Sequence, residues 1–351
     1  MFTSRWKRKL TWGASALSLL FTLAAPLQVS AASNYTYYRI GSTTDVTTTT
    51  TFGQVLMGGS TDVDEAMRWM INKANGGDFL VIRATGTDAY NTYIRDLGTA
   101  MGKPLNSVST LIVTNLTAGS SDAAVLDKIN KAEAIFFAGG NQADYAKLLN
   151  GTPMQTALNN RIAQGIPFGG TSAGEMIGSQ FVFDAIAAGT KTVTSSIALT
   201  NPYNRIISLS RNLVTTPVNQ GFLADSHFEQ RDRIGRLLSF IARTVKDGWT
   251  SQAKGIGVNE QSALLIEANG AVQLVSQPGA PDPAAYFLKG NAAPEICVSG
   301  SPLTFTNVSA YKITPGKTFN LSTWSGSGGL SYTLNVNTGT VTSSTGNIYG
   351  N

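Results

Sequence analysis

One cysteine and one histidine are all that 351 residues provide. A lone cysteine cannot close an intrachain disulfide. Together the two residues are too few for a zinc site of the Cys/His type, which takes three or four such ligands. No metal centre is expected, and Cys297 is expected as a buried, inert thiol. Neither G-x-G-x-x-G nor a Walker A pattern occurs, so a nucleotide cofactor is not expected either. Charge is sparse: 13% of residues are charged against 42% hydrophobic, a balance that suits a folded core and excludes wholesale disorder.

The formal net charge of +5 is an effect of the first residues. Arg5, Lys7, Arg8 and Lys9 precede an apolar run from Leu10 to Leu23, then Pro26 and the small-x-small triplet Val29-Ser30-Ala31. This is the layout of a secretory signal peptide cut after Ala31, which predicts an extracellular protein. The run is short for a full span, so no stable membrane anchor is expected after cleavage. Without those four basic residues the net charge is close to zero. No basic stripe remains for a nucleic-acid partner.

Residues 32–52 are threonine-rich and predict an exposed leader strand or linker. From residue 53 apolar runs alternate with helical patterns. Strands are expected at 54–57, 78–84, 108–113, 134–138 and 166–170. Helices are expected near 62–75, 91–101, 123–132, 142–150 and 153–164, and an amphipathic one near 229–246. This alternation predicts a doubly wound three-layer α/β/α sandwich with a mostly parallel sheet. Its ligands should collect at the carboxyl ends of the strands. Residues 291–351 carry little helical signal and predict a β-rich C-terminal extension.

The predicted strand at 166–170 runs into Gly170-Thr171-Ser172-Ala173-Gly174, followed by Glu175-Met176-Ile177-Gly178 as a helix start. Strand, sharp turn with serine at its tip, then helix is the layout of a nucleophile elbow. The glycines allow the tight turn, and the first N–H groups of the helix can face a developing oxyanion. The other reading of the same residues is a Gly/Ser-rich connection after a core strand. Serine needs a base, and His227 is the only histidine there is. It stands in Asp225-Ser226-His227-Phe228 beside Arg231, Arg233 and Arg236.

Four blocks resemble cyanophycinases and their relatives in peptidase family S51, with dipeptidase E more distant. They are Gly139-Gly140-Asn141-Gln142, Gly170–Gly174, the stretch 225–238 with its D-x-H-F-x-x-R-x-R-x-x-R-L pattern, and 255–264. The resemblance covers about 53–290, read as the peptidase domain. It implies a fold like that of class I glutamine amidotransferases and serine-type exopeptidase action on cyanophycin or related β-Asp-Arg peptides. A peptide or polyamide substrate and a homodimer are implied with it. Ser172 would be the nucleophile and His227 the base, with an oxyanion hole at Gly140 and Ala173. Gln142, Asp225, Arg231, Arg233, Arg236 and Glu260 would line the substrate site.

The resemblance also implies an acid between serine and histidine. Asp184 is the one acid between Glu175 and Asp225, so either Asp184 orients the imidazole, or a neutral group does, or the enzyme is slow. Glu175 departs from the family pattern, where a small or apolar residue is usual. Two other readings stand beside the peptidase: an α/β-hydrolase esterase, which shares G-x-S-x-G, and a catalytically inactive binding protein on the same fold.

Overall fold

A computed structural model describes Met1 and residues 33–351; beyond Met1, the expected signal peptide lies outside the described residues. The leader is partly strand: β1 (Tyr35–Gly41) pairs antiparallel on the edge of the first sheet. Then follow β2 (Gly53–Met57), α1 (Asp64–Ala74), β3 (Asp78–Arg83), α2 (Ala89–Ala100) and β4 (Ser107–Val113). Next come α3 (Leu116–Gly119), α4 (Ala123–Asn130), β5 (Ala134–Phe137), α5 (Gln142–Leu149), α6 (Pro153–Ala163) and β6 (Phe168–Thr171). The expected alternation is what the chain builds up to this point.

Beyond the elbow lie α7 (Ala173–Met176), β7 (Phe181–Phe183), α8 (Ser195–Thr200), β8 (Leu209–Arg211), β9 (Leu223–Asp225) and α9 (Ile234–Lys246). The C-terminal part is all strand: β10 (Lys254–Val258), β11 (Ser262–Glu267), β12 (Ala271–Ser276), β13 (Ala285–Gly290) and β14 (Phe305–Ile313). It ends with β15 (Thr318–Asn320), β16 (Ser325–Ser327), β17 (Leu330–Asn337) and β18 (Thr340–Ser343).

Two mixed sheets result. The first has ten strands in the order β1-β4-β3-β5-β6-β2-β11-β12-β15-β16. Its centre, β4-β3-β5-β6-β2, is parallel, and its flanks pair antiparallel. The second has eight, ordered β18-β17-β14-β13-β10-β9-β7-β8, with parallel pairing only at β9. The expected mostly parallel single sheet is thus corrected: parallel pairing is confined to the segment where crossover helices connect the strands. Residues 291–351, expected as a β-rich extension, carry only strands among their regular elements and join both sheets. β14, β17 and β18 continue the second sheet from β13, while β15 and β16 continue the first from β12. Ser33–Asn351 is one unit.

Side-chain alternation along the central strands divides the core. Val55, Met57, Phe79, Val81 and Phe136 pack with α1 and α2 on one face. Leu56, Leu80, Ile82, Ile135 and Phe137 face the other way, toward α4–α6 and the inner face of the second sheet. The far face of that second sheet is closed by α9, with Leu237, Leu238, Phe240 and Ile241 buried. Cys297 is buried and free, and burial pushes its thiol up to about 11.

Candidate active site

The carboxyl ends of β5, β6 and β2 meet at one place. Ser172 sits between β6 and α7 with φ 54°, a left-handed conformation that a non-glycine residue holds only under constraint. Its neighbours explain how the turn closes. A Cβ on Gly170 would lie 2.3 Å from the Gly174 backbone, and one on Gly174 would lie 2.1 Å from the Phe137 carbonyl oxygen. Only glycine at both positions lets α7 start this close to the strand.

The end of β2 then gathers the rest through three successive carbonyls. Met57 O accepts from Ser172 N (2.9 Å), Gly58 O from His227 N (2.8 Å), and Gly59 O from Gln261 N (2.9 Å). His227 also has a positive φ, 46°, as does Gln261 at 56°. Strain of about 1–3 kcal/mol per such residue is held by these bonds and by the surrounding core. Gly59 (φ +94°) lies against the imidazole, where a Cβ would come within 2.4 Å of its Cε1.

The side chains form a relay. Ser172 Oγ lies 2.7 Å from His227 Nε2, and His227 Nδ1 lies 2.6 Å from Glu260 Oε1. Burial is the largest influence on the imidazole and holds it below the ordinary histidine value. The Glu260 bond opposes that shift, and the charges of Arg231 and Arg233 add to it. A neutral ring with Nδ1–H donating to Glu260 leaves Nε2 free to accept the serine proton.

Two sequence assignments are corrected here. Asp184 does not reach His227: its carboxylate accepts from Ser208 Oγ, from Ser210 Oγ (2.6 Å) and from Ile186 N (2.9 Å). It fixes the start of the loop 184–193. The group on the imidazole is Glu260, which follows the histidine in the chain and was expected to line the substrate site. Its turn, between β10 and β11, is fastened by Gln230 Oε1 accepting from Glu260 N (2.9 Å) and by Asn259 Oδ1 accepting from Glu229 N (3.1 Å).

A third correction concerns the polar cluster. Residues 229–233 precede the helix, which begins at Ile234, so Arg231 and Arg233 are on a turn. Asp225 is fully buried and chelated by Arg236, with Nε at 2.7 Å and Nη2 at 2.5 Å, so it is no substrate ligand. Arg236 gives Nη1 to the Val193 carbonyl as well. Arg233 Nη1 donates to Ser226 O (2.9 Å) and reaches Asp225 at 3.3 Å. Arg231 is half exposed, 3.7 Å from Glu260.

A cavity of about 190 Å³ opens over Ser172, lined among others by Gly140, Gln142, Ala173, Arg231, Arg233 and Arg236. Gln142 Nε2 donates to the Phe183 carbonyl. Ala173 N–H, at the first position of α7, has no intrahelical partner. Sequence reasoning missed Lys191 and Ser226 in the lining; no local pattern marks a loop residue as facing a cavity. Among the described residues no cluster of His, Cys, Asp and Glu is arranged to hold a metal ion.

The chain is similar to proteins already known. Cyanophycinases of Synechococcus elongatus and Thermosynechococcus vestitus are each 25% identical over 237 residues, 67% of this chain and 65% of theirs. The chain therefore spans just under two thirds of the length of these relatives. Among solved structures, a peptidase from an acI-B1 actinobacterium superposes with a TM-score of 0.49 at 14% identity, covering 78% of this chain and 98% of that one. The model of peptidase family S51 matches residues 52–274. That span begins just before β2 and ends beyond the turn carrying Glu260, so it takes in Ser172, His227 and Glu260 together, and by this match the chain belongs to peptidase family S51.

Proposed function

We propose that this protein is a secreted serine-type exopeptidase that hydrolyses cyanophycin or related aspartyl peptides of the β-Asp-Arg kind. The observation that carries the reading is the relay Ser172–His227–Glu260, with both contacts at hydrogen-bond distance. Ser172 Oγ attacks the scissile carbonyl while His227 Nε2 takes its proton. The same imidazole then returns the proton to the leaving amine, and Glu260 keeps the Nδ1 tautomer and steadies the imidazolium that forms. The N–H groups of Ala173 and Gly140 are assigned to the oxyanion. Water enters by the same route to release the acyl group.

Support for the substrate comes from the cyanophycinase relatives and from the cationic lining of the cavity. The glutamine-amidotransferase-like description of the fold, export by the N-terminal segment and a homodimer belong to this same proposal. Labelling the protein with a fluorophosphonate probe tests the mechanism. Modification at Ser172 that disappears in His227→Ala is expected, and equal labelling of that variant would sink the serine–histidine mechanism. Release of β-Asp-Arg from cyanophycin tests the substrate separately; cleavage of ordinary α-aspartyl peptides alone would leave the mechanism and remove the substrate.

A further inference from the structure

Glu175 is the one titratable group at the elbow that the relay does not use. It follows the nucleophile by three positions, its side chain is wholly buried, and neither carboxyl oxygen has a hydrogen-bond partner. Among the described residues it is the only carboxyl buried with both oxygens unpaired. An ionised carboxylate is strongly disfavoured in that setting, because nothing replaces the water it has lost. Burial raises Glu175 well above the ordinary carboxyl range; Asp225 adds to the rise and Arg233 opposes it.

The surroundings give this neutrality a consequence. α7 packs against β2, β5, β6, α5 and β9. The first three carry no charged residue, and Asp144 and Lys147 of α5 do not act on Glu175. The charges that do are Asp225 on β9 and Arg233 at the start of α9. Arg236 already occupies both oxygens of Asp225. Arg233 uses Nη1 alone, and neither its Nε nor its Nη2 has a protein acceptor among the described residues. Two guanidiniums thus face one carboxylate and one neutral acid. The surplus positive charge belongs to Arg233, which lines the cavity over Ser172 with donors to spare.

We propose that Glu175 is a specificity-determining residue: as a neutral acid it leaves the charge of Arg233 uncancelled, so that the cavity accepts a carboxylate on the substrate. Once ionised, Glu175 would compete for Arg233 and the site would lose its hold on that carboxylate. The inference takes its substrate from the peptidase reading, but anion binding and the protonation of Glu175 can both be measured without turnover.

The probe is succinate, with succinamide as its uncharged counterpart, titrated calorimetrically into the full chain carrying Ser172→Ala between pH 6 and 9. Succinate is expected to bind, with succinamide at least tenfold weaker. Succinate affinity should fall at least tenfold as the pH rises, and stay within about twofold once Glu175→Gln is added. In parallel, infrared spectra should show a protonated-carboxyl band at pH 6 that Glu175→Gln removes and that, in the unsubstituted protein, weakens together with succinate affinity as the pH rises. Absence of that band at pH 6, equal weakening with and without Glu175→Gln, or equal binding of succinamide would each overturn the inference. Failure to label Ser172 with fluorophosphonate would remove the peptidase reading and leave these results to stand.

Discussion

Two glutamates flank the nucleophile, and their settings are opposite. Glu260 lies on the open side, its side chain 24% exposed, where it touches the imidazole directly and Arg231 at longer range. Glu175 lies on the closed side with no exposure and no partner, within the electrostatic reach of the buried Asp225 that Arg236 chelates. A carboxyl near water and near a base can remain charged and serve the chemistry. One sealed in the core without a cationic partner is held neutral at ordinary pH, and influences the chemistry only through the charges around it. The residue type is the same; its burial decides the role. The open side should therefore fail by losing activity, the buried Asp225–Arg236 pair of the closed side by losing the fold.

The sharpest way to break this contrast is Glu260→Gln. It keeps the shape and removes the charge behind the imidazole, so kcat should fall by about 10⁴ while the melting temperature barely moves. Asp184→Asn, measured alongside, should leave kcat within a few-fold, because Asp184 holds only the loop 184–193; a comparable loss there would reverse the correction made above. On the closed side, Asp225→Asn should cost about 3–5 kcal/mol of stability by leaving Arg236 buried without its partner, read as a drop in denaturant midpoint. Unchanged stability with lost activity would place Asp225 on the chemical side instead.

A smaller effect is expected from Gly59→Ala. The added Cβ would meet the imidazole at 2.4 Å on a residue at φ +94°, displacing His227. A loss of about 10² in kcat/KM is expected, which is the scale of a 1 Å misplacement. The smallest test is a pH profile. Because burial and the two arginines lower the imidazole, the acid limb of kcat/KM should lie below the ordinary histidine value of about 6.5. Removing a positive charge with Arg231→Gln favours the imidazolium, so the limb should move to higher pH; movement to lower pH would contradict the assigned electrostatics.

The first half of the chain was legible because its signals are local. Buried parallel strands read as short apolar runs between helical patterns, and the run ending at Thr171 led straight to Ser172. His227 followed by elimination. The second half was less legible. β7 and β8 are three residues each, too short for a period to register, and the tail was read as an appendage because pairing partners far apart in sequence leave no local trace. Glu260 was visible as a residue but given the wrong role. It follows the histidine, and only the pairing of β11 with β2 brings its turn back to Gly59.

By itself the sequence singled out Ser172 and His227 as a pair: the elbow needs only the glycines beside Ser172, and one histidine leaves no choice. It also excluded an intrachain disulfide and a Cys/His zinc site. The tertiary structure decided which carboxylate serves His227, which carboxylate is locked to Arg236, and which is sealed away as an acid. Those three depend on distance and burial, which arise when both sheets close around the end of β2 and which no stretch of chain carries alone.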